Sequence, residues 1–264
     1  MKNLLIIVLL TIGVLSNVKS FAQDNGQKGL EIAELADKAD QGFESSEVSL
    51  KMILTNKQGQ ESIRLLENNT LEFLEDGDKS LIVFNSPLDV KGTSTLTFTH
   101  KEGSDDQWLY LPAVKRVKRI SSDNKSGPFM GSEFAYEDLS SQEVEKYTYK
   151  YIKDEVKDGE TLQIVERYPV DEKSGYTRQV VWFNKSKAYR IEKIDFYDRK
   201  DALLKTLTYE NYELYLDKHW RADEMIMTNH QTGKMTRLVF EDYAFKTGLT
   251  DQDFSQNSLV RAGR

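Results

Sequence analysis

Residues 28–55 read KGLEIAELADKADQGFESSEVSLKMILT, and the hydrophobic period changes inside them. Up to Gly42 the apolar side chains Ile32, Leu35, Ala36, Ala39 and Phe43 fall at helical spacing, with Glu31, Glu34, Asp37 and Lys38 on the opposite side. That stripe predicts an amphipathic helix over 28–43, ending near Gly42. Beyond Gly42 the period becomes two. Val48, Leu50, Met52 and Leu54 alternate with Ser49, Lys51 and Thr55, the pattern of a strand with one buried face. From here to the end of the chain no second helical period of comparable length appears.

The same two-residue rhythm recurs downstream at Ile63–Leu65, Leu71–Phe73, Leu81–Phe84, Leu96–Phe98 and Trp108–Leu111. After residue 145 it continues through Tyr147–Tyr151, Thr161–Val165, Arg178–Phe183, Tyr189–Phe196, Leu203–Tyr215, Trp220–Thr228 and Met235–Phe245. Turn residues separate the segments: Gly59, Asn68-Asn69, Asp76-Gly77-Asp78, Gly92, Gly103, Asp158-Gly159, Ser174-Gly175 and Thr232-Gly233. Strands at hairpin spacing without crossover helices predict an antiparallel meander, a large curved sheet or open barrel of about eleven or twelve strands. No linker divides it, so residues 23–264 are expected to form a single domain.

Upstream, residues 1–22 (MKNLLIIVLLTIGVLSNVKSFA) have the layout of an export leader: Lys2, an apolar run from Leu4 to Leu15, and small residues Ser20 and Ala22 before the cleavage point. The run is too short for a bilayer span of about 20 residues. A leader cleaved after Ala22 would send the chain to a periplasm.

Composition removes several function classes. The chain has 264 residues, 39% hydrophobic and 30% charged, with a net charge of −7. That balance is globular, and it runs against nucleic-acid binding. No cysteine and three histidines leave no thiol chemistry and little basis for a metal centre. His100, His219 and His230 have no metal-ligand spacing, and no nucleophile elbow, phosphate-binding loop or dinucleotide fingerprint is present. The expectation is a protein that is not an enzyme and carries neither cofactor nor metal.

Residues 112–141 (PAVKRVKRISSDNKSGPFMGSEFAYEDLSS) break the strand rhythm. Lys115, Arg116, Lys118 and Arg119 read either as a charged sheet edge or as a docking patch for an acidic partner or lipid headgroup. Phe129, Met130, Phe134 and Tyr136, flanked by Gly127 and Gly131, read either as a plug for one end of the sheet or as a lid over an apolar cavity.

These blocks resemble a known family. The leader, the early helix, Trp108–Pro112, the basic Lys115–Arg119 stretch and above all FMGSEFAYEDL (129–139) are similar to outer-membrane lipoprotein-sorting proteins of the LolA/LolB-like superfamily, as are VVWFNKSKAYRIEKIDFYD (180–198) and the Gly248–Phe254 region with Leu259. The resemblance implies a half-open antiparallel barrel wrapped around a few short helices. It also implies an apolar cavity for lipid or for the acyl chains of lipoproteins, and an exported carrier or chaperone role. An alternative is a non-enzymatic partner of an RND-type inner-membrane exporter. On this view the expected cavity and lid residues are Leu50, Met52, Phe73, Phe84, Phe98, Trp108, Phe129, Met130, Phe134 and Tyr136. Partner docking is expected at Lys115, Arg116, Lys118 and Arg119.

Overall fold

The structure is a computed structural model that describes residues 24–263; the leader reading of residues 1–22 lies outside them. A helix, α1, spans 24–40, and Gly42 follows it at φ 97°, a left-handed conformation that glycine adopts without a Cβ clash. Phe43 therefore lies past the helix, buried as the chain enters the sheet.

Among the described residues thirteen strands form one antiparallel sheet. The first six are β1 (Ser45–Thr55), β2 (Glu61–Leu71), β3 (Lys79–Ser86), β4 (Ser94–Phe98), β5 (Asp106–Leu111) and β6 (Arg116–Ile120). The other seven are β7 (Tyr147–Lys157), β8 (Glu160–Pro169), β9 (Tyr176–Asn184), β10 (Arg190–Asp198), β11 (Leu203–Tyr215), β12 (His219–Asn229) and β13 (Met235–Phe245). The spatial order is β6-β5-β4-β3-β2-β1-β13-β12-β11-β10-β9-β8-β7. The first and last strands thus meet in the middle, with Leu50 opposite Phe240 and Met52 opposite Leu238. The two edges, β6 and β7, are neighbours in sequence. The sheet stays open there, giving the mainly β, half-open barrel.

Two sequence expectations change in detail. Ile63–Leu65 and Leu71–Phe73 are not separate strands: β2 runs straight through Asn68-Asn69. Those asparagines face Val48 and Glu47 on one side and Ile82 and Leu81 on the other, so ladders on both flanks hold them extended. The basic stretch supplies the additional strand, β6, with Trp108 opposite Arg119 and Tyr110 opposite Val117.

The 26 residues that join the two edges, 121–146, cross the concave face as a chain of short 3-10 turns. Within 127–139, Phe129, Ser132, Phe134 and Ala135 are buried, and the stretch is anchored to strands from both halves of the sheet. Phe129, fully buried, packs at 5.7 Å from Phe84 of β3 and 5.5 Å from Tyr136. The Gln107 side chain of β5 donates to the Tyr136 carbonyl at 2.9 Å. Glu133 donates its N–H to Thr236 Oγ1 of β13 at 2.9 Å and accepts from Asn229 of β12 at 2.7 Å. Arg64 of β2 holds the carbonyl of Met130, which sits in the left-handed region at φ 49°.

The strongest tie is an ion pair between Lys205 Nζ of β11 and Asp138 Oδ2, 2.7 Å apart with side chains 4% and 7% exposed. Tyr176 of β9 donates its hydroxyl to the other Asp138 oxygen at 2.8 Å, and the Ala135 N–H donates to Oδ2 at 2.6 Å. Lys205 also donates to the Glu133 carbonyl at 2.9 Å. Every charge on this pair is met, the condition under which a buried ion pair is tolerated.

At the other end, α2 (Gln256–Ala262) is capped by Ser255 and inserts Leu259 among Leu81, Leu96, Tyr110 and Phe254. Gly92 and Gly263 permit this docking, since a Cβ on either would run into the carbonyl of the other.

Because breaking a buried, hydrogen-bonded ion pair strands a charge, Asp138→Ala is expected to lower the unfolding free energy by about 3–5 kcal/mol. Urea denaturation of the purified protein measures it. A loss below about 1 kcal/mol would mean the pair does not hold the segment in place.

Candidate functional site

Between α1 and the concave face lies a cavity of about 550 Å³, within the usual size of small-molecule sites, about 300–1,000 Å³. Its wall on the helix side is made of small residues, Ala33, Ala36 and Ala39, which hold α1 against the sheet's rim without filling the space below. The helix is pinned at both ends. Near its start Lys28 lies over the Tyr151 ring of β7 at 3.4 Å, and Gly29 packs against the Tyr149–Tyr151 backbone. At its end Asp40 pairs with Arg221 of β12.

The sheet side is apolar and aromatic: Val48 and Leu50 of β1, Ile82 of β3, Tyr209 and Tyr212 of β11, Met225 of β12, and Leu238, Phe240 and Tyr243 of β13. Residues of like parity on paired strands place these side chains together, as with Tyr209 opposite Met225 and Met225 opposite Leu238.

Polar groups converge on the cavity from two directions. Asp37, Asp78 and Glu143 line it where α1, the β2–β3 connection and the end of the 121–146 segment come together. Burial pushes the Asp78 carboxyl up to about 6 and the Glu143 carboxyl up to about 7, the latter helped by the negative charges of Asp78 and Asp37. Burial also raises Asp37. On β8, Arg167 enters from the floor, 4% exposed, its Nε donating to Gln179 at 2.7 Å and its Nη2 to Gln142 at 3.2 Å. Among the described residues no group of three or more histidines and carboxylates is placed to hold a metal ion.

Of the expected cavity residues, Leu50 and Phe73 line this space. The others do not, and the reasons differ. Met52, 2% exposed, and Phe84, 0%, lie under the 121–146 segment, where its aromatic side chains occupy the concave face. Phe98 and Trp108, 5.2 Å apart, pack in the separate cluster around α2 on the opposite face of the sheet: their neighbours Thr97 and Gln107 point to the concave side, where Gln107 reaches the Tyr136 carbonyl. Phe129, Met130, Phe134 and Tyr136 are the wedge itself and belong to the main core; Phe134 also borders a second hollow of about 420 Å³ behind the segment. Lys115, Arg116, Lys118 and Arg119 stand exposed on the outer edge strand or the turn before it, with Arg119 paired to Asp106. Charge on an edge strand discourages pairing with another sheet.

The β11–β13 tyrosines, Phe240 and Arg167 were not singled out from sequence. Their strands were recognised, but parity alone cannot say which inward-facing positions lie under the wedge and which under α1. The high tyrosine count, 13 residues, was the available signal.

The chain is an open antiparallel half-barrel with a helix over an apolar hollow, and solved proteins share this architecture. A domain from Vibrio parahaemolyticus described as an outer membrane lipoprotein-sorting protein is 56% identical, with a TM-score of 0.88, over 90% of this chain and 100% of that one. A DUF1329 family protein from Desulfovibrio piger is 30% identical, with a TM-score of 0.83, over 89% of this chain and 99% of that one. A LolA superfamily protein from Nitrosomonas europaea shares the fold at 22% identity and a TM-score of 0.71, over 89% of this chain and 99% of that one. Residues 76–261 match a family profile whose description is "Uncharacterized protein", and no curated protein matches. The chain belongs to the LolA-like outer-membrane lipoprotein-sorting family.

The Asp78 shift makes a testable statement about stability. A carboxyl whose folded value is about 6 against an ordinary 3.8 costs the folded state once ionised. That cost is absent below about pH 4, grows as pH rises towards 6, and is complete above it. Asp78→Asn, which keeps an acceptor for the Phe73 N–H, is therefore expected to be more stable than the parent above pH 6, by on the order of 2 kcal/mol. The advantage should vanish near pH 4. Thermal melts of both proteins across that range decide it; a constant difference would show that Asp78 titrates normally.

Proposed function

We propose that the protein is an exported, non-enzymatic carrier that shields an acyl-chain cargo in the cavity under α1. The observation that carries this reading is the 550 Å³ hollow itself, lined by aliphatic and aromatic side chains and roofed by alanines. Burying an acyl chain there removes apolar surface from water at roughly 0.8 kcal/mol per methylene. That is enough to hold a chain, and an open-edged sheet leaves a route for its release. The relative named for lipoprotein sorting supports the same reading, as does the leader-like residues 1–22, which would place the chain in a periplasm. Among the described residues no helix is long and apolar enough to cross a membrane.

The protein expressed with its leader and recovered from a bacterial periplasm should carry a lipid or acylated species in native mass spectrometry, released by organic extraction. Ala36→Trp, which fills the hollow from the helix side, should abolish uptake of a fluorescent fatty acid and its methyl ester while the melting temperature stays within a few degrees of the parent. A stable Ala36→Trp protein that takes up lipid normally would overturn the assignment of the site.

A further inference from the structure

Arg167 is the one feature of the cavity that an acyl chain does not explain. It lies one strand in from the open edge: on β8 it sits between Tyr149 of β7 and Gln179 of β9. It is buried, and no carboxylate among the described residues forms an ion pair with it. Its hydrogen bonds are to neutral amides, Gln179 and Gln142, and its guanidinium stacks over the Tyr147 ring at 4.3 Å.

Asp37, Asp78 and Glu143 gather at the α1 side of the cavity without pairing with Arg167, and the buried carboxylates under the wedge are engaged elsewhere. Asp138 is taken by Lys205 and Tyr176. Glu137 accepts from the Ser174 hydroxyl at 2.7 Å and the Gly175 N–H at 2.9 Å, and burial raises its pKa. A guanidinium carries five N–H donors, and two are used here, one on Nε and one on Nη2. The Nη1–Nη2 edge remains. The Tyr209 hydroxyl, on the same cavity wall and within reach of the positive charge of Arg167, has no hydrogen-bond partner among the described residues; burial pushes it up to about 12, so it stays a donor. A buried, unneutralised cation is costly, and two amides clamping it in a fixed orientation make a pre-organised anion receptor.

We infer that the cavity takes a free lipid carboxylate head-first, its two oxygens received by the Nη1–Nη2 edge of Arg167 and the Tyr209 hydroxyl, its acyl chain lying along Val48, Leu50, Leu238 and Phe240. This rests on the carrier reading and narrows it. A lipoprotein anchor enters tail-first and brings no charge to the floor of the cavity, whereas a long-chain carboxylic acid supplies the anion that Arg167 lacks. Guanidinium–carboxylate pairing is planar and two-pronged, which suits the exposed edge.

The test compares a naturally fluorescent long-chain polyene fatty acid with its methyl ester, titrated into the delipidated full-length mature protein at pH 8. The acid is expected to bind about tenfold or more tighter than the ester, the return on a charge-assisted hydrogen bond in a desolvated site. Arg167→Gln should remove that preference while leaving ester affinity unchanged, and Arg167→Lys should restore part of it. Equal affinity of the parent protein for acid and ester overturns the inference, whether or not either variant folds. So does an acid preference that survives in Arg167→Gln. If neither probe binds but extraction of the periplasmic protein yields an acylated polypeptide, the carboxylate reading fails and the carrier reading stands. If nothing binds and nothing is extracted, both fail.

Discussion

The Asp138–Lys205 pair is the point on which the architecture turns. A thirteen-stranded sheet whose first and last strands pair in the middle leaves its two edges to be joined by consecutive residues. Those residues have to cross the hollow of the sheet, and a polar backbone crossing an apolar face needs hydrogen-bond partners throughout. The 121–146 segment finds them in Gln107, Thr236, Asn229, Arg64 and, at its centre, a lysine and a carboxylate that neutralise each other out of water. With the segment anchored, Phe129 and Tyr136 can act as a wedge between β3 and the rest, and half of the concave face is committed to core packing.

The other half is left to α1, and the helix is built not to fill it. Where a core helix would present leucine or phenylalanine, α1 presents Ala33, Ala36 and Ala39; Ile32 is its large side chain buried in the main core, with Ala36 packed against that core. Its position is set by contacts at its two ends, Lys28 on Tyr151 and Asp40 with Arg221, so the centre spans the hollow like a beam. Close packing, which elsewhere eliminates voids, is suspended in one place. The same sheet is therefore solid under the wedge and hollow under the helix.

Charge follows that division. Carboxylates gather at the side of the cavity near α1 and the β2–β3 connection, where burial disfavours their ionisation, and a lone guanidinium stands on the floor. At the centre of the wedge the buried charges of Lys205 and Asp138 neutralise each other. A paired charge belongs to the fold; a buried charge without its pair marks a place where a ligand can complete it.

The succession of strands along the chain was legible from residue spacing because a two-residue period is local: alternation such as Val48, Leu50, Met52, Leu54 needs no knowledge of what lies opposite, whereas the pairing of β1 with β13 was not. The helix with its stripe, the irregular aromatic segment and the basic edge were legible for the same reason, and the family resemblance rested on those blocks. What remained hidden depends on contacts distant in sequence. Asn68-Asn69 has turn chemistry, and only two flanking ladders keep it extended. Met52 and Leu50 share a strand and a face, yet one lies under the wedge and the other opens on the cavity, a difference set by where a segment eighty residues away comes to rest. Arg167 is unremarkable in the sequence, one basic residue among 36. Its meaning lies in what the folded chain does not place beside it. Periodicity determined which residues share one face of a strand. The tertiary structure alone decided which face turns inward, as with Phe98 and Trp108, which turn to α2, and which inward residues meet a neighbour or an empty space, because packing is a property of pairs brought together by the fold.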